Sequence, residues 1–127
     1  EHRGVVYGLW PAALEQGRAA GINAAGGSAS FKGMAPSAFL KVVGIDVFSI
    51  GDFMPKGDNV NMIEKADSGT YSLLAIRDGI LVGANLVGDV SAAIPVKNAV
   101  TKAGPVLGNP RLLELFPGLA SWLKGRE

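Results

Sequence analysis

The chain has 127 residues, 48% of them apolar, a formal charge of +1, a single histidine and no cysteine. That length suits one domain with a modest core, and a near-neutral balance without a basic run speaks against nucleic acid as a partner. The missing cysteines exclude a disulfide framework, a thiolate metal site and a redox dithiol in this segment, and one histidine, His2, cannot build a histidine metal cluster. No apolar run reaches the length of a signal core or a membrane span, so no membrane contact and a cytoplasmic origin are expected.

Residues 1–8 read as an extended lead-in and residues 11–25 as the first helix. Pro11 suits the first helical position, because its missing N–H would be orphaned there anyway. Behind it Ala13, Gly17, Ala20, Gly21 and Ala24 recur at three- and four-residue spacings, so one face carries almost no bulk. Such a face lets another backbone or a flat ligand come close, yet nothing precedes this helix to do so. With a first residue that is not Met, the expectation is a piece of a larger protein. Residues 1–27 would end a preceding domain and 28–127 would form a domain of their own. Gly26-Gly27-Ser28 tolerates left-handed φ, closes the helix and runs on as a linker.

From Phe31 the periodicity becomes strand-like. Residues 39–43 and 46–50 are short β-type runs around Gly44, and 53–58 is a loop rich in Gly and Pro. The runs 60–66, 70–77 and 80–87 are separated by Asp67-Ser68-Gly69 and Asp78-Gly79, which predicts an antiparallel meander. Asp-Gly between β-rich runs favours a type I′ turn, whose two central residues take positive φ. Strict alternation puts Ile80, Val82, Ala84 and Leu86 on one face and Leu81, Gly83, Asn85 and Val87 on the other. Neither face is clearly polar, so both expect cover, and self-association is expected from the face left over. Asp89 or Ser91 is expected to cap a helix running to Ala103, with Gly104 as its stop. Asn109-Pro110 opens a short helix to Phe116, Pro117-Gly118 breaks it, and 119–124 form a last turn. The fold class is α+β: an antiparallel β-meander with helices on one face, preceded by one helix.

Few residues invite chemistry. The amino end of the first helix, at Trp10, Pro11 and Ala12, suits an electron-rich group through its free N–H groups and dipole, although an ordinary helix start with Trp10 as a packing residue explains the same pattern. Gly51-Asp52 reads as a strand-end turn, His2 as a terminal residue without a catalytic role. Glu64, Asp67, Asp78 and Asp89 are scattered over strand ends and turns, leaving no carboxylate pair for acid–base work. No Gly-x-Gly-x-x-Gly turn is present, hence no dinucleotide fingerprint. Phe116, Leu119, Trp122 and Leu123 form an apolar stripe, read first as core and second as interface.

Three blocks carry a family resemblance. Trp-Pro-Ala-Ala-Leu-Glu-Gln-Gly-Arg at 10–18 resembles the last helix of the FAD-binding domain in pyridine nucleotide-disulfide oxidoreductases, of the NADH:rubredoxin oxidoreductase, NADH oxidase and nitrite reductase large-subunit type. Residues 40–52 resemble the first hairpin of that family's C-terminal domain, and 71–89 resemble its paired strands, in the family's order. The resemblance implies a C-terminal cap or dimerisation domain preceded by the last helix of an absent FAD-binding domain. Partners implied are the upstream FAD and NAD(P)H domains and an electron-acceptor protein.

By the same resemblance, hydride passes in the whole protein from nicotinamide to FAD and electrons move on to an acceptor. Trp10, Pro11 and Ala12 would border the flavin's pyrimidine edge there. Gly51-Asp52 mimics the family's ribityl-binding pair but follows the Trp-Pro helix instead of preceding it, so it is not carried over. The chain by itself is expected to hold no cofactor and to have no catalytic residues or metal site. The alternatives are a stand-alone oligomerisation or protein-docking module without redox role, and a small-ligand domain with a pocket between sheet and helices.

Overall fold

The computed structural model describes Gly4 and residues 6–125. It divides into two compact units, Glu1–Ser37 and Ala38–Glu127.

The first unit is built on helix α1, Trp10–Ala24. Leu9 is its extended N-cap residue and offers no side-chain cap, so the first intrahelical bond runs from Ala13 N–H to Leu9 C=O at 3.0 Å. The other end is a Schellman motif. Gly26 takes φ +84° and donates to Asn23 C=O, and Gly27 donates to Ile22 C=O at 2.9 Å. The stretch read as a linker is also tied down. The Asn23 amide donates to Ala29 C=O at 3.0 Å and accepts from Ala29 N–H at 2.7 Å, clasping the turn between them. Beyond the clasp Phe31 packs edge-on against Tyr7, and the Tyr7 hydroxyl accepts from Met34 N–H at 3.2 Å.

The second unit holds, all but Ser37 at their start, strands β1 (Ser37–Val42), β2 (Ile45–Gly51), β3 (Val60–Asp67), β4 (Thr70–Arg77) and β5 (Ile80–Val87). They form one antiparallel sheet in the order β1-β2-β5-β4-β3. The predicted meander is its β3-β4-β5 part, and β2 returns to lie beside β5, which makes a Greek key. Two hairpins turn through positive φ at both central residues, Asp78 (+51°) with Gly79 (+74°) and Val43 (+50°) with Gly44 (+82°), as type I′ geometry demands.

The face alternation read for β5 needs one correction. Ala75 pairs with Gly83 but Ile76 with Leu81, so Val82 is an extra, bulged residue. A bulge shifts everything beyond it to the other face. Leu81 therefore joins Ala84 and Leu86 on the core face, together with Phe48, Ile50, Leu74 and Ile76, all buried. Helix α2 (Ala93–Lys102) lies against β5 and β2 and buries Val96 and Ala99. A 3-10 turn at Val106–Gly108, helix α3 (Pro110–Leu115) and helix α4 (Leu119–Lys124) follow, adding Val106, Leu112 and Leu119 to the core.

Asn109 caps α3 by accepting from Leu112 N–H at 3.2 Å. The expected ends of α2 differ. Asp89 accepts from Ser91 N–H at 2.9 Å in a local turn, Ala92 is the N-cap without a side-chain bond, and the left-handed residue at the C-cap is Ala103 (φ +49°), not Gly104. Of the apolar stripe near the end, Leu119 is core; the Trp122 side chain lies outside the described residues.

Candidate functional site

At the amino end of α1, Trp10 is 80% exposed, whereas Ala12 is buried at 1%. Ala12 is the single buried residue of the helix. Pro11 brings no N–H, and no acidic side chain enters the first turn. The first turn thus brings neither a side-chain cap nor an acid of its own to the dipole's positive end, an arrangement that favours an electron-rich neighbour. The small-residue face is open along its length: Ala13, Gly17, Ala20, Gly21 and Ala24 are all exposed, and a Cβ placed on Gly17 or Gly21 would meet nothing within 4 Å. On another side of the helix a groove of about 330 Å³ runs beside residues 29–34, with Glu15, Arg18 and Ile22 on its wall.

Gly51-Asp52 is structural. Gly51 (φ +68°) ends β2, Asp52 N–H donates to the bulged Val82 C=O at 3.0 Å, and the Asp52 carboxylate accepts from Met54 N–H at 3.3 Å. Arg77 holds the following loop, with Asp52 at 3.6 Å and Lys56 C=O at 3.4 Å. The backbones here are nearly in contact: a Cβ on Gly51 would lie 2.1 Å from Val82 O, and one on Gly83 would lie 2.1 Å from Asp52 O. Sequence reading noticed these glycines but not their partners, because the contact joins residues more than thirty positions apart.

The carboxylates do not gather into a site. Asp46 pairs with Lys41 (3.3 Å), Asp67 with Lys65 (3.0 Å) and Glu114 with Arg111 (2.6 Å). Among the described residues no group of three possible metal ligands occurs, and His2 lies outside them. Two perturbed groups are local effects. Desolvation first, and then the charge and hydrogen bond of Glu64, raise the Tyr71 phenol above its usual value. The hydrogen bond from Ser91 N–H, assisted by its hydroxyl, lowers the Asp89 carboxyl.

Asn85 was missed as a feature. It stands on central β5 between Ser49 and Leu73, on the face opposite Ala84 and Leu86, and its buried Oδ1 has no hydrogen-bond partner. A polar residue amid Leu86, Val87 and Ala84 was the signal in the sequence.

Comparison with known proteins adds the context that the geometry lacks. Residues 36–103 match the family described as Rubredoxin NAD+ reductase C-terminal domain. NADH-rubredoxin oxidoreductase of Clostridium acetobutylicum is 32% identical over 93 residues, 73% of this chain and 24% of that protein. Nitrite reductase (NAD(P)H) of Bacillus subtilis is 30% identical over 120 residues, 92% of this chain and 15% of that protein. The crystal structure of the Clostridium acetobutylicum NADH:rubredoxin oxidoreductase superposes with a TM-score of 0.67 at 27% identity, over 97% of this chain and 30% of that one. The chain thus spans less than a third of the length of each of these relatives.

Proposed function

The chain belongs to the Rubredoxin NAD+ reductase C-terminal domain family, and from that premise we propose that it closes the flavin domain of an FAD-dependent NAD(P)H oxidoreductase and helps shape the side on which the electron acceptor docks. Residues 1–27 are, in this reading, the last helix of the FAD-binding domain. The observation that carries it is the amino end of α1: uncapped by any side chain, flanked by an exposed Trp10, on a helix whose glycine-lined face is open. When bound, FAD would accept hydride from the nicotinamide and pass electrons onward. Trp10 and the turn at Pro11-Ala12 would then border the ring, and the helix dipole would stabilise negative charge on its reduced form. Rubredoxin and nitrite, named in the two relatives, are the first acceptors to try.

The test uses the full-length protein of which this chain is part. It should bind FAD stoichiometrically and oxidise NADH or NADPH, whereas the 127-residue chain alone should be colourless and inactive. Trp10→Asp, which places a negative charge at the helix amino end, should lower the reduction potential of the bound flavin. A full-length protein without flavin, or a potential that Trp10→Asp leaves unmoved, refutes the assignment. A stand-alone oligomerisation module would show neither flavin nor turnover in any form.

A further inference from the structure

Charge is divided unevenly between the two layers of the second unit. Residues 38–89, the sheet and its loops, hold seven acids against four cations, whereas residues 90–127, which carry the helices, hold five cations against two acids. The chain's net charge of +1 conceals this split. Pairing sharpens it. Among the described residues the one acid of the helical layer, Glu114, is held by Arg111 at 2.6 Å, while Lys97, Lys102 and Lys124 make no ion pair.

Helix α2 concentrates the feature. It buries Ala93, Val96 and Ala99 and leaves Ile94, Lys97, Asn98, Thr101 and Lys102 exposed, a stripe along its outer face. A helix face that meets only water commonly mixes acids with bases, which gain from pairing one turn apart. This face has two bases and no acid, with Ile94 at 73% exposure towards its start. Lys102, in the last turn, complements the helix dipole. Lys97 stands mid-helix, where the dipole does nothing for it.

We propose that the outer face of α2 docks an acidic protein, the electron acceptor of the whole oxidoreductase. Ile94 is the apolar contact, and Lys97 and Lys102 are the charges that attract and orient the partner. This rests on the reading of the chain as part of an NAD(P)H oxidoreductase and specifies where its acceptor is met, and by what charge. Opposite charges raise encounter rates and fix orientation more than they add affinity, which suits a carrier that must leave after each transfer. The same count disfavours other polyanions. Two lysines on a ten-residue helix fall short of the clusters of about four to eight that hold an anionic membrane, and of the run of phosphate contacts that nucleic acid needs.

The test uses the full-length protein with two acceptors: rubredoxin, named in one relative, and the neutral quinone menadione. Lys97→Glu combined with Lys102→Gln should raise KM for rubredoxin roughly tenfold and leave kcat and menadione turnover unchanged. Gln serves at 102 because an acid in the last turn would oppose the dipole. Raising the salt from about 0.05 M to about 0.5 M should raise KM for rubredoxin in the parent and much less in the double variant, since salt screens exposed charges. Ile94→Ala should raise KM and keep the salt dependence. Lys56→Glu, which reverses the unpaired cation of the sheet half, should change neither. The proposal is overturned by normal menadione turnover without rubredoxin reduction, by a KM that the double variant leaves unmoved or that Lys56→Glu raises equally, or by kinetics indifferent to salt. It is also overturned if the double variant loses only binding to phosphatidylserine vesicles. In each of these the flavin reading stands. A parent protein without flavin or menadione turnover refutes that reading, and this one with it.

Discussion

Replacing Gly83 by Ala tests the contact on which the sheet's crossover depends. Gly83 sits in β5 between Ala75 and Gly51. Its new Cβ would lie 2.1 Å from Asp52 O, 2.2 Å from Asp52 C and 2.5 Å from Phe53 N, all backbone atoms. No flexible side chain can swing away, so the loop leaving β2 must move. Overpacking of this kind costs about 1–3 kcal/mol. If the loop withdraws, the bond from Asp52 N–H to Val82 O goes as well, at about 1 kcal/mol. The exposed Arg77–Asp52 pair adds at most about 1 kcal/mol. The sum, about 2–5 kcal/mol, is a large part of the 5–15 kcal/mol that stabilises a typical domain. For a unit of this size each kcal/mol lowers the melting temperature by about 4–8 °C, so a fall of about 10 °C or more is expected by circular dichroism. Gly104→Ala is the control, having neither a neighbour within 4 Å nor a positive φ, and should stay within about 0.5 kcal/mol. Equal melting of the two variants would refute the close approach and with it the bulge at Val82.

Three further outcomes are expected. Gly79→Val should cost about 1–3 kcal/mol, because a β-branched residue resists the positive φ of the Asp78-Gly79 turn; Gly108, in open space without positive φ, is the melting comparator, since Gly57 is itself at φ +110°. Gly17→Ala and Gly21→Ala should each stabilise α1 in this chain by up to about 1 kcal/mol, yet weaken flavin retention in the full-length protein, where the same face would lie against its neighbour; a gain in both settings would contradict the proposed docking. Glu64→Gln should bring the Tyr71 phenol down towards its ordinary value by removing a carboxylate that raises it, read by phenolate absorbance during alkaline titration. The sign for stability follows: with a raised folded value, the contribution of Tyr71 is fully present below about pH 10 and is lost as the pH rises through the folded value.

Most of the fold was legible because its signals are local. Asp78-Gly79 marked a hairpin by what its two residues tolerate, Asn109-Pro110 marked a capped helix, and the spacing of apolar runs gave the strands. Three things were not legible, for a shared reason. The place of β2 beside β5, the bulge at Val82 and the Gly51–Gly83 approach are properties of strands meeting across long stretches of chain. Local reading also assigned left-handed geometry by residue type, and so chose Gly104 over Ala103 for the end of α2; the structure places the strain on alanine. At the candidate site, the helix start at Trp10-Pro11 was visible in the sequence, whereas its openness depends on what surrounds it and is a structural fact.

The two units are held together by different means, and the difference bears on function. The second buries Ile50, Leu74, Ile76, Leu81, Leu86, Val96 and Leu112 in one core. In the first, a 15-residue helix buries only Ala12. A helix of that length is marginal in water, and Gly17 and Gly21 each cost it about 1 kcal/mol relative to Ala. What fixes it is a Schellman cap and the Asn23 clasp, which set the chain's exit but do nothing for the helix's outer face. Glycines on an open helical face are a net loss unless another surface comes close enough to need the missing Cβ. A backbone or a flat ring packed along Ala13, Gly17 and Gly21 would turn that loss into contact area.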